Sequence, residues 1–227
     1  MKCVYCSSEK IVKNGKSNQG KQRYLCKDCG KIFVDNPQRR HYSDELKKIA
    51  IRLYTDGVEI AVIARSLEVP YETVRSWLRA AGEKAIKKIE SRKKRFQDKI
   101  YEKAGIDEMW TYVGKRDNDI WIWTAVFDKN LKFFEIGKRD EETFWRFYKQ
   151  IPMAKEYQTD GYKVYENLEK REIKKYGYTN WNEGLHSFLR DKLAMLKRKT
   201  KAYAKSIRAL YRALALVFVR WNLLSTY

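Results

Sequence analysis

The chain has 227 residues, of which 44% are hydrophobic and 34% charged, so it is long and apolar enough to bury a core. Its formal net charge of +20 opposes compaction unless a polyanion is bound, and nucleic acid is the usual polyanion. The most apolar run, 213–219, is too short to span a bilayer, and no apolar stretch follows Met1. These features exclude a membrane protein and a secreted one, so we expect a soluble, intracellular chain.

All four cysteines lie within the first 29 residues, in the spacing Cys3-x-x-Cys6 and Cys26-x-x-Cys29. Two such turns can offer four thiolates to one tetrahedral zinc ion. Because no coordination position remains for water, this zinc would be structural and would supply folding energy to a very small unit. Free thiols or a redox pair are the alternatives, and the paired spacing disfavours both. The basic residues nearby, which suggest phosphate contacts, are Lys10, Lys13, Lys16, Lys21 and Arg23.

The next segment, 41–82, predicts three helices. The first follows Ser43 and ends at Gly57, and Pro70 presets the start of the third. This pattern is typical of a helix-turn-helix, and a plain three-helix bundle is the alternative. The residues that we expect to point outward from the third helix, where they could reach base edges and phosphates in a major groove, are Tyr71, Glu72, Thr73, Arg75, Ser76 and Arg79.

A charged segment over 83–103 contains nine Lys/Arg and four Asp/Glu, and periodic apolar residues predict that it is helical. The remainder, 104–227, predicts three strands, a helix, a strand, a helix, a strand and two helices, with a hairpin turn at 128–130. That order is typical of an RNase H-like fold, an α/β mixed sheet with helices on both faces. The predicted domains are a zinc ribbon over 1–40, a helix-turn-helix over 41–82, a charged helical linker over 83–103 and an RNase H-like catalytic domain over 104–227.

Three carboxylates have unusual settings in the last domain. Asp107 lies inside the first strand pattern, Asp160 ends a later strand, and Glu183 begins a helix. A carboxylate in a central strand is costly unless a cation compensates for it, and three carboxylates brought together repel one another until divalent cations bind. Such a site activates water or a 3′-hydroxyl and stabilises the leaving oxygen of a phosphodiester. The pattern therefore favours metal-dependent phosphoryl transfer.

The helix that Glu183 begins has two predicted faces. Helical spacing places His186, Arg190 and Lys197 on the face of Glu183, towards the metal and its DNA, and four leucines on the other face. His186 is either an active-site group or a polar surface residue. The last helix carries an apolar stripe that we interpret as a core or dimer contact, consisting of Ile207, Leu210, Leu214, Val217, Trp221 and Leu224. Near the motifs, Asp140 and Glu166 are interpreted as surface charges.

The sequence resembles the transposases of the insertion sequence one family of bacteria and archaea over nearly its whole length. The resemblance lies in VKNGKSNQGKQRYLCKDCGKIF and in IDEMWTYVGKR, TDGYKVYENL and YTNWNEGLHSFLRDKLAMLKRKT. It implies an acidic DDE triad on an RNase H-like fold, with Asp107 from IDEMW, Asp160 from TDGY and Glu183 from NWNEGLH. The stretch after Glu183 departs most from the family pattern.

We therefore expect a DNA transposase that uses Mg²⁺, with Mn²⁺ as a substitute, to cleave DNA strands and transfer them into target DNA. Double-stranded DNA would be its partner, both as terminal inverted repeats and as target, and the chain would act as a homodimer or higher oligomer because two ends must meet. The alternatives are a sequence-specific DNA-binding regulator and a stand-alone nuclease or resolvase. The expected location is the cytoplasm, in association with the nucleoid and not with a membrane.

Overall fold

A computed structural model describes residues 1–18, 20–34, 41–168, 180–197 and 202–224, and the backbone of 171–173. It contains two compact units, Met1–Ser43 and Asp44–Tyr227. In the part of the chain that the structure describes, no helix combines the length and the apolar content that crossing a bilayer requires.

The first unit is a small antiparallel sheet of three strands, β1 (Ile11–Lys16), β2 (Gln22–Cys26) and β3 (Ile32–Val34). Cys3 and Cys6 precede β1, Cys26 is the last residue of β2, and Cys29 lies in the turn between β2 and β3. Cys3, Cys26 and Phe33 are the buried residues of its core. The burial of these few apolar side chains does not offset the conformational entropy that is lost when the strands become ordered. The unit therefore needs a further crosslink.

The second unit begins with three helices, α1 (Asp44–Thr55), α2 (Ile60–Ser66) and α3 (Tyr71–Lys94). The third helix runs without interruption through the predicted boundary at 82, so the helix-turn-helix and most of the predicted linker share one helix. The last linker residues, 100–103, are not helical, because they pair in a sheet with 153–156. The domain boundaries themselves remain a prediction.

The sheet of this unit has five strands, β4 (Ile100–Val113), β5 (Lys115–Phe127), β6 (Leu131–Gly137), β7 (Met153–Thr159) and β8 (Arg171–Ile173). They lie in the order β6-β5-β4-β7-β8, with the first three in chain order antiparallel and β7 and β8 parallel to β4. This mixed sheet confirms the predicted RNase H-like fold. The predicted hairpin is confirmed as well, because Phe127 pairs with Leu131 and the turn residues Asp128 and Lys129 have left-handed φ angles of 44° and 69°.

Helices cover both faces of the sheet, namely α4 (Glu141–Tyr148), α5 (Asn180–Lys192) and α6 (Ile207–Arg220). On one face, Phe144 of α4 packs against Trp123. On the other, Phe218 of α6 lies 4.5 Å from Phe134, measured between ring centroids. The helix predicted through YKVYENL is a short 3₁₀ helix, Lys163–Asn167. Of the predicted strand in EIKKYGY, residues 174–178 lie outside the described residues.

The last two helices depart from the predicted faces. The chain leaves α5 at Leu193, whose φ of −129° is extended, and continues as a 3₁₀ turn over Ala194–Leu196. Lys197 therefore does not share a helical face with Glu183, and that prediction is wrong. In α6 most of the apolar stripe is buried in the core, which favours the core interpretation over a dimer contact, whereas Ile207 and Trp221 are 49% and 40% exposed.

Two helical glycines offer a matched test of how closely α3 and α6 cross. A Cβ on Gly82 of α3 would lie 2.6 Å from the Cβ of Arg212 on α6, whereas a Cβ on Gly184 of α5 would meet nothing within 4 Å among the described residues. Alanine favours helix by about 1 kcal/mol over glycine, but overpacking costs about 1–3 kcal/mol. Urea unfolding should show that Gly82→Ala lowers the free energy of unfolding and Gly184→Ala does not. An equal gain in both variants would contradict the close crossing.

Candidate functional site

The structure brings the three predicted carboxylates to one place. Asp107 lies midway along β4, Asp160 directly follows the neighbouring parallel strand β7, and Glu183 lies in the first turn of α5. Side chains alternate between the faces of a strand, and Asp107 shares its face with Thr124, the residue opposite it on β5. That is also the face on which α5 packs, because His186 of α5 contacts Thr124. The carboxyl end of β7 and the start of α5 thus meet beside Asp107.

The pKa of Asp107 reflects the proximity of the other two carboxylates. Burial raises the pKa of its carboxyl to about 7, against the effect of a hydrogen bond from the Glu108 N–H, and the charges of Glu108, Asp160 and Glu183 raise the pKa further. The group is therefore poorly stabilised as an anion by the protein alone. Carboxylate oxygens are the ligands that Mg²⁺ and Mn²⁺ prefer, so this donor set fits a hard divalent cation, which would relieve the repulsion.

A buried threonine links Asp107 to α5. The Thr124 hydroxyl donates to the backbone carbonyl of Asp107 at 3.2 Å and lies 2.9 Å from both His186 Nε2 and the donating Asn182 Nδ2. His186 is only 5% exposed, and burial and the charge of Arg190 lower its pKa to about 4, so it is neutral. Its Nδ1 lies 3.8 Å from Asp107 Oδ2. These contacts fix α5, and with it Glu183, against β4.

His186 therefore corrects two predictions. It is not a polar surface residue, and its burial leaves it no direct contact with DNA. The other basic residues predicted on this segment are more accessible, since Arg190 is half-buried and Lys197 is exposed. Their contacts with DNA remain a proposal.

A second charged group lies on the opposite face of β4. Glu108, whose side chain is 1% exposed, accepts from Arg139 Nη2 at 2.6 Å and from the Tyr165 hydroxyl at 2.5 Å. Burial raises the pKa of Glu108, while its two hydrogen-bond partners lower it. Arg139 Nη2 also lies 4.0 Å from Asp160 Oδ2. The guanidinium thus connects the buried Glu108 to a carboxylate of the candidate triad.

Sequence reasoning missed this second group, although one signal was present. Asp107 and Glu108 are adjacent in a strand, so one carboxylate had to face each side of the sheet, and a buried one needs a cation. No pattern in the sequence indicated that Arg139, which lies 31 positions later, supplies that cation.

Asp140 and Glu166 were both interpreted as surface charges, but only Glu166 is a plain surface charge. Asp140 is the N-cap of α4, and its side chain accepts from the Thr143 N–H at 2.9 Å. Glu166 is exposed, as predicted. Removing an N-cap side chain typically costs about 1 kcal/mol, so only Glu166 serves as a neutral control.

The outward face of α3 is as the sequence predicted. Tyr71, Glu72, Arg75, Ser76 and Arg79 are exposed and Thr73 is half-buried. Arg75 pairs with Glu72 at 3.1 Å. Beside this face lies a cleft of about 380 Å³ whose walls include Tyr71, Arg75 and Arg79 from α3 and Tyr203 and Lys205 from the segment before α6. The outward face of α3 and the segment before α6 thus border a common, basic cleft.

The four cysteines of the first unit form a compact cluster. Their sulfurs all lie within 4.8 Å of one another, with 3.6 Å between Cys3 and Cys29 and 3.6 Å between Cys6 and Cys26. A tetrahedron with Zn–S bonds of about 2.3 Å places its sulfurs about 3.8 Å apart, whereas a disulfide would bring them to about 2 Å. The cluster therefore fits one zinc ion and not disulfides.

Together, these units define a DNA-binding protein in which a zinc ribbon and a helix-turn-helix precede an RNase H-like domain. Family models match each part: the InsA N-terminal zinc-ribbon domain over residues 1–30, a transposase helix-turn-helix over 37–102, and the IS1 transposase over 101–219. The last match covers more than half of the sequence, and the chain belongs to the IS1 transposase family. One relative is the insertion element iso-IS1N protein InsA of Shigella dysenteriae, which is 24% identical over 72 residues, covering 32% of this chain and 80% of the relative.

Proposed function

We propose that the protein binds the terminal inverted repeats of its insertion sequence, cleaves DNA strands there and transfers them into target DNA. The observation that supports this proposal is the proximity of Asp160 and Glu183 to Asp107 in an RNase H-like sheet, where their charges raise the pKa of Asp107. Membership in the IS1 transposase family favours this function over a regulator or a stand-alone resolvase.

The three carboxylates would hold the catalytic Mg²⁺, and Mn²⁺ would substitute for it. Bound there, the metal would activate water or a 3′-hydroxyl and stabilise the leaving oxygen of the phosphodiester. The chain's own residues supply the rest of the site. Thr124 and Asn182 fix α5 beside Asp107, and Arg139 neutralises Glu108 and places a positive charge 4.0 Å from Asp160.

The experiment that tests this function uses the full zinc-loaded chain, Mg²⁺ and labelled duplexes bearing the inverted repeats that flank the gene. We expect strand cleavage at the repeat ends and joining of the freed 3′ ends to a plasmid. Binding without cleavage would favour a regulator, and cleavage of branched DNA regardless of end sequence would favour a resolvase.

The exposed face of α3 would read the terminal repeats in a major groove. Arg75→Ala or Arg79→Ala should weaken binding to the repeat by about 1–3 kcal/mol and relax its sequence preference, if the lost contact is a bidentate one to guanine. Arg65→Ala is the matched control, since Arg65 is an exposed arginine of the adjacent helix α2. Binding selections with all three variants measure the affinity for the repeat and the sequence preference. An unchanged sequence preference in both Arg75→Ala and Arg79→Ala would contradict the placement of α3 in the major groove.

Two ends must be held together for joining, so the active form would be at least a homodimer. Because α6 buries most of its apolar stripe within the chain, that stripe does not supply the dimer surface. Sedimentation of the protein with repeat DNA would measure the assembly.

A further inference from the structure

A row of aromatic rings with a cation at each end crosses the sheet face opposite Asp107. We call this row the aromatic strip; its members in spatial order are Arg139, Trp121, Trp110, Tyr112, Tyr203 and Lys205. Arg139 lies over the Trp121 ring at 4.7 Å, and Lys205 lies over the Tyr203 ring at 3.7 Å. The central rings stack on one another, at 5.9 Å between Trp110 and Tyr112 and 5.7 Å between Tyr112 and Tyr203.

The two halves of the strip join across the β4–β5 pair. Trp110 and Trp121 are directly opposite each other in the antiparallel register, so their side chains stand on the same face about 5 Å apart at Cβ. The Trp110 indole N–H donates to Asp119 at 2.8 Å, which fixes the orientation of that ring. The two halves of the strip therefore stand side by side on one face of the sheet, and the Trp110 ring is held in place.

Its ends lie at the two places where DNA is expected. Arg139 lies 4.0 Å from Asp160 of the candidate triad. Lys205 and Tyr203, at the other end, line the cleft that α3 borders with Arg75 and Arg79. The strip thus connects the DNA-reading face to the carboxylates.

The exposure of the strip is unusual for aromatic side chains on a sheet. Trp110 is 41% exposed, and Trp121, Tyr112 and Tyr203 are half-buried. Packing within the core does not account for a tryptophan of this exposure that is oriented by its own hydrogen bond. A ligand with flat apolar faces and negative charge would complement the rings and the terminal cations.

We propose that the aromatic strip binds unpaired nucleotides of a DNA strand at the cleaved end. Bases of an intact duplex are stacked inside the helix and cannot reach side-chain rings, whereas every unpaired base offers a face for stacking. Phosphates of the same strand would pair with Lys205 and Arg139. This proposal rests on the proposed function in taking DNA as the substrate and cleavage as the source of the unpaired end.

The test measures binding alone, without Mg²⁺, so that its outcome is independent of cleavage. Fluorescence anisotropy would follow the full zinc-loaded protein binding to oligothymidylate of about 20 nucleotides, long enough for several stacked bases, and to the duplex terminal repeat. Trp110→Ala and Tyr203→Ala should each weaken oligothymidylate binding on the order of tenfold, and Trp110→Phe should retain most of it, as expected for loss or retention of one stacking ring. Duplex binding by Trp110→Ala should stay unchanged, because Trp110 does not line the cleft that α3 borders.

Trp221→Ala is the matched control, because Trp221 is 40% exposed and lies beside the cations Lys192 and Arg220, yet is outside the strip. It should leave oligothymidylate binding unchanged. Circular dichroism of each variant establishes that it is folded, and Trp110→Phe distinguishes a lost ring from a lost fold. Unchanged oligothymidylate binding in both strip variants, equal weakening of duplex binding by Trp110→Ala, or an equal effect of Trp221→Ala would each overturn the proposal.

Discussion

Asp107→Asn, Asp160→Asn and Glu183→Gln are each expected to abolish strand cleavage and joining, with rates lowered on the order of 10²–10³-fold or more. These substitutions keep shape and volume but remove one charge from the proposed metal ligands. End binding should remain near wild type, because the residues that would read the repeat lie on α3. The measurement is a cleavage assay on labelled ends with Mg²⁺, run beside a binding assay.

A second readout separates this role from a structural one. Burial and neighbouring carboxylates raise the pKa of Asp107 to about 7, so its charged form destabilises the metal-free fold at neutral pH and above. Asp107→Asn should therefore be at least as stable as wild type without divalent cations. Adding Mg²⁺ should stabilise wild type and not the variant.

The control for the triad is Glu166→Gln, an exposed carboxylate near the second motif. It should cleave normally. Asp140→Asn is a weaker control, because Asp140 caps α4 and its substitution can affect stability. Full cleavage by any one triad variant would remove that residue from the proposed site, and loss of cleavage in Glu166→Gln would place the site elsewhere.

Loss of zinc should unfold the first unit while the second stays folded. Structural zinc sites contribute an apparent binding free energy of about 10–16 kcal/mol, whereas the apolar core of this unit is built around Cys3, Cys26 and Phe33. Cys26→Ser should therefore lose the metal and the three-stranded sheet together. Elemental analysis should find about one zinc per wild-type chain, as a closed four-cysteine site holds.

Limited proteolysis of Cys26→Ser should remove the first unit and leave a fragment beginning near Asp44, the boundary between the two compact units. Ser8→Ala is the matched variant, since Ser8 lies beside the cysteines and donates to Asp28 at 2.6 Å but offers no thiolate. It should keep its zinc. A first unit that stays folded after complete zinc removal would contradict a structural role for the metal.

Most of the fold could be predicted from local patterns in the sequence. Runs rich in aromatic and β-branched residues predicted β4 to β6, and the turn at 128–130 predicted the hairpin of β5 and β6, because each signal concerns neighbours in the chain. The boundaries of helices were harder. Leucines at helical spacing continue past Lys192, yet the backbone becomes extended at Leu193, and the same leucines remain buried without a helix.

Only the residues of the candidate site that stand in a motif could be assigned to it from the sequence. Asp107, Asp160 and Glu183 stand in recognisable segments, but no pattern in the sequence indicates which side chains contact them. Thr124 and His186 meet across 62 positions and Glu108 and Tyr165 across 57, and such long-range pairs leave no periodic trace in one sequence. The burial of His186 likewise depends on packing between distant residues, which a single sequence does not reveal.

Because α3 is uninterrupted, its length would influence how far from the repeat the proposed cleavage occurs. From the exposed Arg75 near its start to Lys93, which bonds to the carbonyl of Phe134 in the sheet, this helix extends about 27 Å at 1.5 Å per residue. A helix whose far end is packed on the sheet does not stretch, so we expect it to hold the residues that would read the DNA at a fixed distance from the sheet that carries the candidate triad. That length corresponds to about eight base pairs of duplex at about 3.4 Å per base pair. Inserting a single base pair between repeat and cut would then alter both the distance and the rotational phase, and the enzyme would keep its cutting position relative to the repeat instead of following the inserted sequence.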